Sequence, residues 1–257
     1  MPVITKFEPG SFCWAELMTS DSDAAKKFYT QLFGWGVSEL PMGEGQFYSM
    51  MQLSGKSVGA LYQRDKDHQH VPPHWACYVA VSNVDESARK VAELGGKTLM
   101  PPFDVFDVGR MTFAADPTGA TLGLWQAKSH IGAGIVNEPG SVCWNEIGTN
   151  DEQSASKFYE QLFGWTAKPL PMTPPYTVFN NKGTDIGGMY KLDGSMEGVP
   201  PHWIPYFQVK DCDETVAKAN SLGGQTVVPA MDISVGRFAY VQDPQGAVFA
   251  VIYLKPR

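Results

Sequence analysis

Two short stretches place a tryptophan and a glutamate two residues apart, each just before a segment with helical spacing. The first pair is Trp14 and Glu16, and the second is Trp144 and Glu146. Residues two apart on a β-strand share a face, so each glutamate should point the same way as its tryptophan. A carboxylate beside an indole can anchor a small molecule by a hydrogen bond or abstract a proton from it. Glu16 and Glu146 are therefore candidate catalytic residues.

Further aromatic and polar side chains are expected on the same two faces. A strand that begins at His74 should present His74 and Tyr78 beside Glu16, and the last strand of this half should add Trp125. With their counterparts in the second half, the candidate ligand-binding residues are Trp14, His74, Tyr78, Trp125, Trp144, His202, Tyr206 and Tyr253. An unpaired buried carboxylate is costly, so His74, Arg110 or Tyr78 should pair with Glu16.

A purely structural interpretation of the same residues stays open. The two tryptophans would then only fill the interior of a curved sheet. His74, which follows two prolines, would fix an edge loop, and Arg110 would form an ion pair at a strand edge.

The elements that must position these residues follow from hydrophobic spacing. FCWAELMT is a strand candidate, on which Cys13 and Ala15 should face the helices. The next segment, DSDAAKKFYTQLFG, has helical spacing, begins at a capping Ser20 or Asp21 and ends at Gly34. Three strands complete the first unit: GVSELPM, QFYSMMQL and KSVGALYQ. The second unit begins with the strand HWACYVAV and the helix VDESARKVAELGG, and its last three strands are KTLMPP, RMTFAAD and ATLGLWQA. This half reads βαβββ–βαβββ.

The chain repeats this pattern once. KFYTQLFGW at 27–35 returns as KFYEQLFGW at 157–165, VPPHW occurs twice, and DPTGA returns as DPQGA. We therefore predict a first domain at 1–128, a linker at 129–137 and a second domain at 138–257. The predicted fold class is α+β. Each domain should be a curved, mostly antiparallel eight-stranded sheet with its helices on the outer face and a trough on the other.

Composition excludes several classes of function. The net charge of the 257 residues is −7, and the 20 Lys and Arg residues are scattered, which argues against nucleic-acid binding. No run of apolar residues is long enough for a membrane span, and the first residues do not resemble a signal peptide. The 4 cysteines are widely spaced, as is typical of buried thiols in a reducing compartment. We expect a cytoplasmic protein.

The order of motifs resembles the vicinal oxygen chelate superfamily, which includes glyoxalase I, extradiol dioxygenases and the fosfomycin and bleomycin resistance proteins. The matching pieces are an aromatic strand, then D-x-x-x-A-x-x-FY-x-x-x-FGW from Asp21, and later DP-x-G from Asp116. This order covers nearly the whole chain, twice. More narrowly, the chain is similar to two-domain glyoxalase-like proteins of actinobacteria, a subgroup that includes a mycobacterial antigen.

The resemblance implies a divalent metal held by His and Glu at set strand positions. Here those positions carry residues without suitable donor atoms: Trp14, Ala76, Gly123, Trp144, Ile204 and Ala250. The fourth position falls near VGALY or IGGMY, which contain no carboxylate. Such cations need oxygen, nitrogen or thiolate ligands. We therefore expect no metal and no other cofactor, although Glu16 and His74 with their counterparts leave a relocated site open.

The resulting hypothesis is a glyoxalase-like protein that has lost its metal site and binds a small aromatic or apolar molecule in one or both troughs. One alternative is a glyoxalase-type lyase or isomerase that uses a relocated site, with Glu16 as base. A less favoured alternative is an extradiol dioxygenase, which needs two histidines and a carboxylate on iron. The expected partner is a small molecule, with no nucleic acid and no membrane, and the chain should be a two-domain monomer or a homodimer.

Overall fold

The computed structural model describes residues 4–43 and 45–256. Its helices are α1 (Ser22–Phe33), α2 (Val84–Glu93), α3 (Glu152–Phe163) and α4 (Cys212–Ser221). The strands of the first half are β1 (Phe12–Thr19), β2 (Gly36–Gly43), β3 (Gln46–Leu53), β4 (Lys56–Gln63), β5 (His74–Ala80), β6 (Lys97–Thr98), β7 (Phe103–Val105), β8 (Gly109–Ala115) and β9 (Thr121–Ala127). Those of the second half are β10 (Val142–Thr149), β11 (Thr166–Leu170), β12 (Tyr176–Asn181), β13 (Thr184–Lys191), β14 (His202–Gln208), β15 (Gln225–Ile233), β16 (Gly236–Gln242) and β17 (Val248–Leu254).

The helix boundaries follow from capping residues. The Asp21 side chain accepts a hydrogen bond from the Ala24 amide at the start of α1. Gly34 ends α1 with a φ of 72°, a left-handed conformation that favours glycine. Asp151 and Gly164 repeat both features on α3. None of the helices in the described residues is long and apolar enough to cross a membrane.

Each half forms its own curled mixed sheet, which confirms the predicted fold class. The strand order is β2-β3-β4-β1-β5-β9-β8-β6 in the first sheet, with β7 also on β8, and β11-β12-β13-β10-β14-β17-β16-β15 in the second. The first sheet thus has nine strands instead of the predicted eight, because its edge is split into β6 and β7. Pro101 and Pro102 lie at the break. Proline has no backbone N–H, so it cannot donate to the ladder there.

The two faces of each sheet have different partners. On β1, Ala15 and Leu17 pack into a core that contains helix residues, whereas Trp14 belongs to a separate cluster on the opposite face. We call these the helix face and the trough face. Trough 1 is the trough face of the first sheet, and trough 2 is that of the second.

The helix faces bury their residues in two cores, and each core draws on both halves. In the first core, Phe28 and Tyr29 of α1 pack with Phe207, Phe249 and Val251 of the second sheet. In the second core, residues of α3 and the first sheet meet: Ala155, Phe158, Tyr159, Leu162, Cys77, Val79, Leu122 and Leu124. Helical spacing predicts that α1 and α3 each have an apolar face, and the structure shows that this face is buried partly by the opposite half.

Buried hydrogen-bond chains join the halves across these cores. The Trp75 indole donates to the Tyr29 hydroxyl at 2.9 Å, and that hydroxyl donates to Asp243 Oδ2 at 2.9 Å. The second copy runs from Trp203 through Tyr159 to Asp116, at 2.8 and 2.9 Å. The HW, FY and DP-x-G motifs of the repeat therefore supply the residues of two hydrogen-bond chains between the halves.

The predicted linker, residues 129–137, packs against the first sheet. The Ala133 amide donates to the Cys13 carbonyl, and the Gly134 amide donates to the Ser57 carbonyl, both at 2.8 Å. Ala133 and Ile135 are buried. This segment is a packed connection and not an extended tether.

Candidate functional site

A β-bulge places the first Trp-x-Glu pair. Phe12 pairs with Val79 but Trp14 pairs with Tyr78, so Cys13 is an extra residue in β1. Beyond the bulge, Glu16 pairs with Ala76, and Trp14 and Glu16 both lie on the trough face, as strand alternation predicts. The second strand repeats the bulge between Val142 and Trp144.

The bulge makes the expectation for Cys13 wrong. Strict alternation predicts Cys13 on the helix face together with Ala15, but Cys13 packs in the trough cluster with Trp14. Its thiol lies 3.6 Å from the Tyr78 carbonyl oxygen. Ala15 lies on the helix face as expected.

Glu16 is held in trough 1 by two tyrosine hydroxyls. Tyr48 donates to its Oε2 at 2.5 Å, and Tyr78 donates to its Oε1 at 2.7 Å. The Trp14 indole donates in turn to the Tyr48 hydroxyl at 3.1 Å. Burial raises the pKa of Glu16, while the two tyrosine donors oppose that shift. Burial and the nearby Glu16 charge raise the pKa of both tyrosines, so their protons remain available for these bonds.

Trough 2 has a similar cluster around Glu146. Tyr206 and Tyr240 both donate to its Oε1, each at 2.6 Å. The Trp144 indole donates to the Tyr176 hydroxyl at 2.9 Å. Burial raises the pKa of Glu146 and the tyrosine donors oppose the shift.

The two troughs differ in how accessible their carboxylates are. Glu146 is buried at 6% exposure, whereas Glu16 is only partly buried. Gly188 in trough 2 replaces Ala60 beside the glutamate, and the Tyr176 hydroxyl lies so close over it that a Cβ there would clash with it. On the other side Ile204 replaces the smaller Ala76. Side chains of trough 2 thus cover Glu146, whereas Glu16 in trough 1 keeps part of its surface exposed.

The histidines predicted for the site lie at the rims. His74 is exposed, and its Nδ1 lies 2.9 Å from the Pro72 carbonyl oxygen. His202 makes the same contact with Pro200 at 2.8 Å. Neither histidine hydrogen-bonds to a glutamate within the described residues, so of the three partners expected for Glu16 only Tyr78 has that role. The remaining one, Arg110, forms ion pairs with Asp85 and Asp104 at the surface.

The predicted placement of Tyr253 is wrong. Trp125 is buried on the trough face. Its counterpart in the second half is Ile252, because the two residues follow Asp116 and Asp243 by the same number of positions. Ile252 pairs with Phe238 and belongs to the trough 2 cluster. Tyr253 packs instead against the core on the helix face. Because alternate residues of a strand face opposite ways, an assignment one residue too late moves the side chain to the other face.

Several tyrosines of the two clusters were not predicted as site residues. They are Tyr48, Tyr62, Tyr176, Tyr190 and Tyr240. Four of them carried a usable signal, because Tyr48 and Tyr62 recur as Tyr176 and Tyr190 at one constant spacing. Tyr240 corresponds to a phenylalanine in the first half, so the repeat does not mark it.

His130, from the predicted linker, closes one end of trough 1. Its ring lies edge-on to Trp14 with the ring centroids 4.8 Å apart, and its carbonyl accepts a hydrogen bond from the Trp125 indole at 2.9 Å. Burial lowers the pKa of His130. Its Nε2 is buried without a partner in the described part of the chain. Only the neutral ring suits this position.

The residues present do not fit the divalent metal that the resemblance implies. At the last ligand position a side chain has no room, because a Cβ on Gly123 would clash with the Tyr78 ring. Trp14 and Ala76 at the other positions have no donor atom for such a cation. Within residues 4–43 and 45–256, no three His, Cys, Asp or Glu side chains come together as a metal-binding group. The iron site of an extradiol dioxygenase lacks its ligands for the same reason.

The fold and these clusters define a two-domain protein built from paired βαβββ units. The model of the Glyoxalase/Bleomycin resistance protein/Dioxygenase superfamily matches residues 11–124 and again residues 130–251, and the chain belongs to this superfamily.

Curated relatives align over nearly the full length. The chain is 44% identical over 262 residues to "Putative glyoxylase CFP32" of Mycobacterium tuberculosis, covering 100% of both chains. It is 34% identical over 267 residues to the anthracycline biosynthesis protein DauV of a Streptomyces species, covering 98% of this chain and 96% of that protein.

Solved structures share the fold at low sequence identity. The Mn(II)-bound glyoxalase of Novosphingobium aromaticivorans superposes with a TM-score of 0.67 at 14% identity, over 96% of this chain and 83% of the other. A trihydroxybiphenyl dioxygenase of Sphingomonas wittichii gives a TM-score of 0.66 at 13% identity, over 96% and 91%. At these identities the likeness concerns the fold alone.

Proposed function

We propose that trough 1 binds a small, flat and mostly apolar molecule that carries at least one hydroxyl group, and that it does so without a metal ion. The observation that carries this proposal is the Glu16 carboxylate, which is held by Tyr48 and Tyr78 and is only partly buried. A carboxylate has about four acceptor positions, and the two tyrosines occupy one on each oxygen. A hydroxyl of the ligand would donate to one of the remaining positions. Hydrogen bonds to a charged acceptor are stronger than hydrogen bonds between neutral groups.

The walls of trough 1 support an apolar ligand. Leu40 pairs with Tyr48 and therefore shares its face, and Phe103 pairs in the same way with Met111. Leu40 of β2 and Phe103 of β7 are large apolar side chains that remain exposed there. Exposed apolar groups that line a concave surface with few polar anchors are typical of small-molecule sites.

The relatives suggest the class of ligand. DauV and its Streptomyces peucetius counterpart DnrV, at 34% and 33% identity, are named as anthracycline biosynthesis proteins. An anthracycline contains flat fused rings with phenolic hydroxyls, which suits an aromatic trough with one carboxylate. We therefore take hydroxylated anthraquinones as the first probes.

The proposal is tested by titrating the full chain with a dihydroxyanthraquinone while following its visible absorbance. Anthraquinone without hydroxyls is the control ligand, and Glu146→Gln is the control variant. We expect Glu16→Gln to weaken binding of the dihydroxy compound by about tenfold or more, because an amide replaces the charged acceptor. Glu146→Gln should bind as the wild type does. Equal binding by Glu16→Gln and the wild type would contradict the proposed anchor.

A chelator tests the second part of the proposal. Binding should be unchanged after dialysis against EDTA, and added Mn²⁺, Ni²⁺ or Zn²⁺ should not strengthen it. Binding that is lost on chelation and restored by one of these ions would contradict a metal-independent site.

One observation favours a second candidate, a lyase or isomerase in which Glu16 is the base. Burial raises the pKa of Glu16, and a carboxylate of raised pKa is a better proton acceptor near neutral pH. The test is conversion of the adduct between methylglyoxal and a thiol to a thioester, followed by absorbance. Turnover that survives EDTA and is lost in Glu16→Gln would support an enzyme, and a rate equal to the uncatalysed rate would contradict one.

A further inference from the structure

A cleft lies between the two halves, apart from the Glu16 carboxylate. It has a volume of about 240 Å³. It is lined by residues of β1, β10 and β13 and by the connection between the halves, among them Phe12, Ala15, Val136, Cys143, Asn145 and Ile186. A cavity of about 150 Å³ holds a benzene molecule. The cleft therefore has room for a ring that carries a substituent.

Asn145 is the unexpected residue in this cleft. It is the counterpart of Ala15, which lies on the helix face of the first sheet. Asn145 is only 4% exposed, yet its carboxamide has no hydrogen-bond partner in the described part of the chain. Asn181, equally buried at 5%, shows the usual situation, because its amide donates to the Pro9 carbonyl at 3.1 Å. The polar atoms of Asn145 are not among the buried side-chain atoms that lack a partner in the described part of the chain, so they open onto the cleft, where water or a ligand can pair with them.

The other lining residues restrict the chemistry of that partner. Cys13 and Cys143 both line the cleft, and burial raises their pKa, to about 12 for Cys143, so both are neutral thiols. No Lys, Arg or His side chain lines the cleft within the described residues. Asp185 lies at the cleft and is exposed. A negatively charged ligand would therefore find no counter-charge here.

We infer that this cleft is a second binding site, which takes a small uncharged ring compound bearing a primary amide or a lactam. A carboxamide offers one acceptor and two N–H donors, so it forms a pair of hydrogen bonds with a neighbouring C=O and N–H. The apolar lining covers the ring, and Asn145 provides the pair of polar contacts. This site does not depend on the function proposed for trough 1, because Glu16, Tyr48 and Tyr78 do not line the cleft, although Cys13 and Trp14 border both sites.

Benzamide is the probe, and toluene is its control without the amide. Spectra of the ¹⁵N-labelled full chain should show saturable shifts at the amides of Phe12, Asn145 and Ile186 on adding benzamide. Asn145→Ala, which introduces the residue found in the other repeat, should weaken benzamide binding by about tenfold or more while leaving toluene binding unchanged. Asn145→Val, which keeps more of the volume, should have the same effect, and its spectrum and melting temperature check that the fold is retained.

Glu16→Gln serves as the control at the other site and should bind benzamide as the wild type does. The proposal is overturned if benzamide gives no saturable shifts, or if the shifts map to Glu16, Tyr48 and Tyr78 of trough 1. It is equally overturned if Asn145→Ala binds benzamide as tightly as the wild type, since the amide would then face only water.

Discussion

Replacing Tyr29 by phenylalanine should strongly destabilise the whole molecule. The Tyr29 hydroxyl is fully buried, and it is the middle member of the chain from Trp75 to Asp243. Phenylalanine keeps the ring, so the aromatic packing of the first core should remain. The substitution therefore removes two hydrogen bonds and little else.

The magnitude follows from those two bonds. A hydrogen bond to a charged acceptor contributes about 1.5–3 kcal/mol, and an orphaned buried donor costs about 1–3 kcal/mol. Asp243 keeps the backbone donors of Gln245 and Ala247 on its other oxygen, so only one of its oxygens loses a partner. The Trp75 indole loses its acceptor. We expect a decrease in the free energy of unfolding of about 2–5 kcal/mol.

The assay is urea unfolding of the variant and the wild type, followed by tryptophan fluorescence and by circular dichroism. Tyr253→Phe is the matched control, because the Tyr253 hydroxyl has no hydrogen bond within the described residues. That control should change stability by less than about 0.5 kcal/mol. A change for Tyr29→Phe as small as for Tyr253→Phe would refute the reasoning, since the chain would then contribute nothing to stability.

Three further outcomes are expected. Because each core draws on both halves, fragments 1–128 and 138–257 should each be unfolded alone and should regain native circular dichroism when mixed; an independently folded fragment would contradict this. Burial raises the pKa of Glu146, so its contribution to stability is fully present below about pH 4.5 and is lost as the pH rises through the folded-state pKa. Glu146→Gln should remove that decrease in unfolding experiments across pH, and an unchanged pH profile would contradict it. Gly123→Ala should lower the free energy of unfolding by about 1–3 kcal/mol and weaken ligand binding, because its Cβ would displace the Tyr78 ring. Thermal or urea unfolding measures this change, and a stability equal to that of the wild type would show that the ring is not held there.

The direction of strand side chains was predictable because it depends only on local alternation. Trp14 and Glu16 share the trough face for that reason, and the same rule explains why Tyr253, assigned one residue too late, was misplaced. The bulge at Cys13 was not predictable, because an extra residue in one strand becomes visible only when its partner strand is known.

Contacts between distant segments were the part that the sequence did not reveal. The spacing of apolar residues in α1 shows that one face is buried, but it does not say which sheet buries it. The partners of Glu16 presented the same difficulty. Tyr48 lies two strands away from Glu16, and only the order of strands in the sheet brings it to the carboxylate.

The exchange of contacts between the halves has a consequence for the assembly of this fold. A single half-chain would expose the apolar side of its first helix and leave its Tyr29-like hydroxyl without an aspartate, unless a second copy supplied both. A half-chain on its own would therefore need a second copy to bury this surface, and in the present chain the segment at 129–137 joins the two halves. A covalent connection makes the assembly of the two halves independent of concentration and allows their sequences to differ. Ala76 and Ile204 show how the two halves differ: the carboxylate beside Ala76 is partly exposed, and the one beside Ile204 is buried.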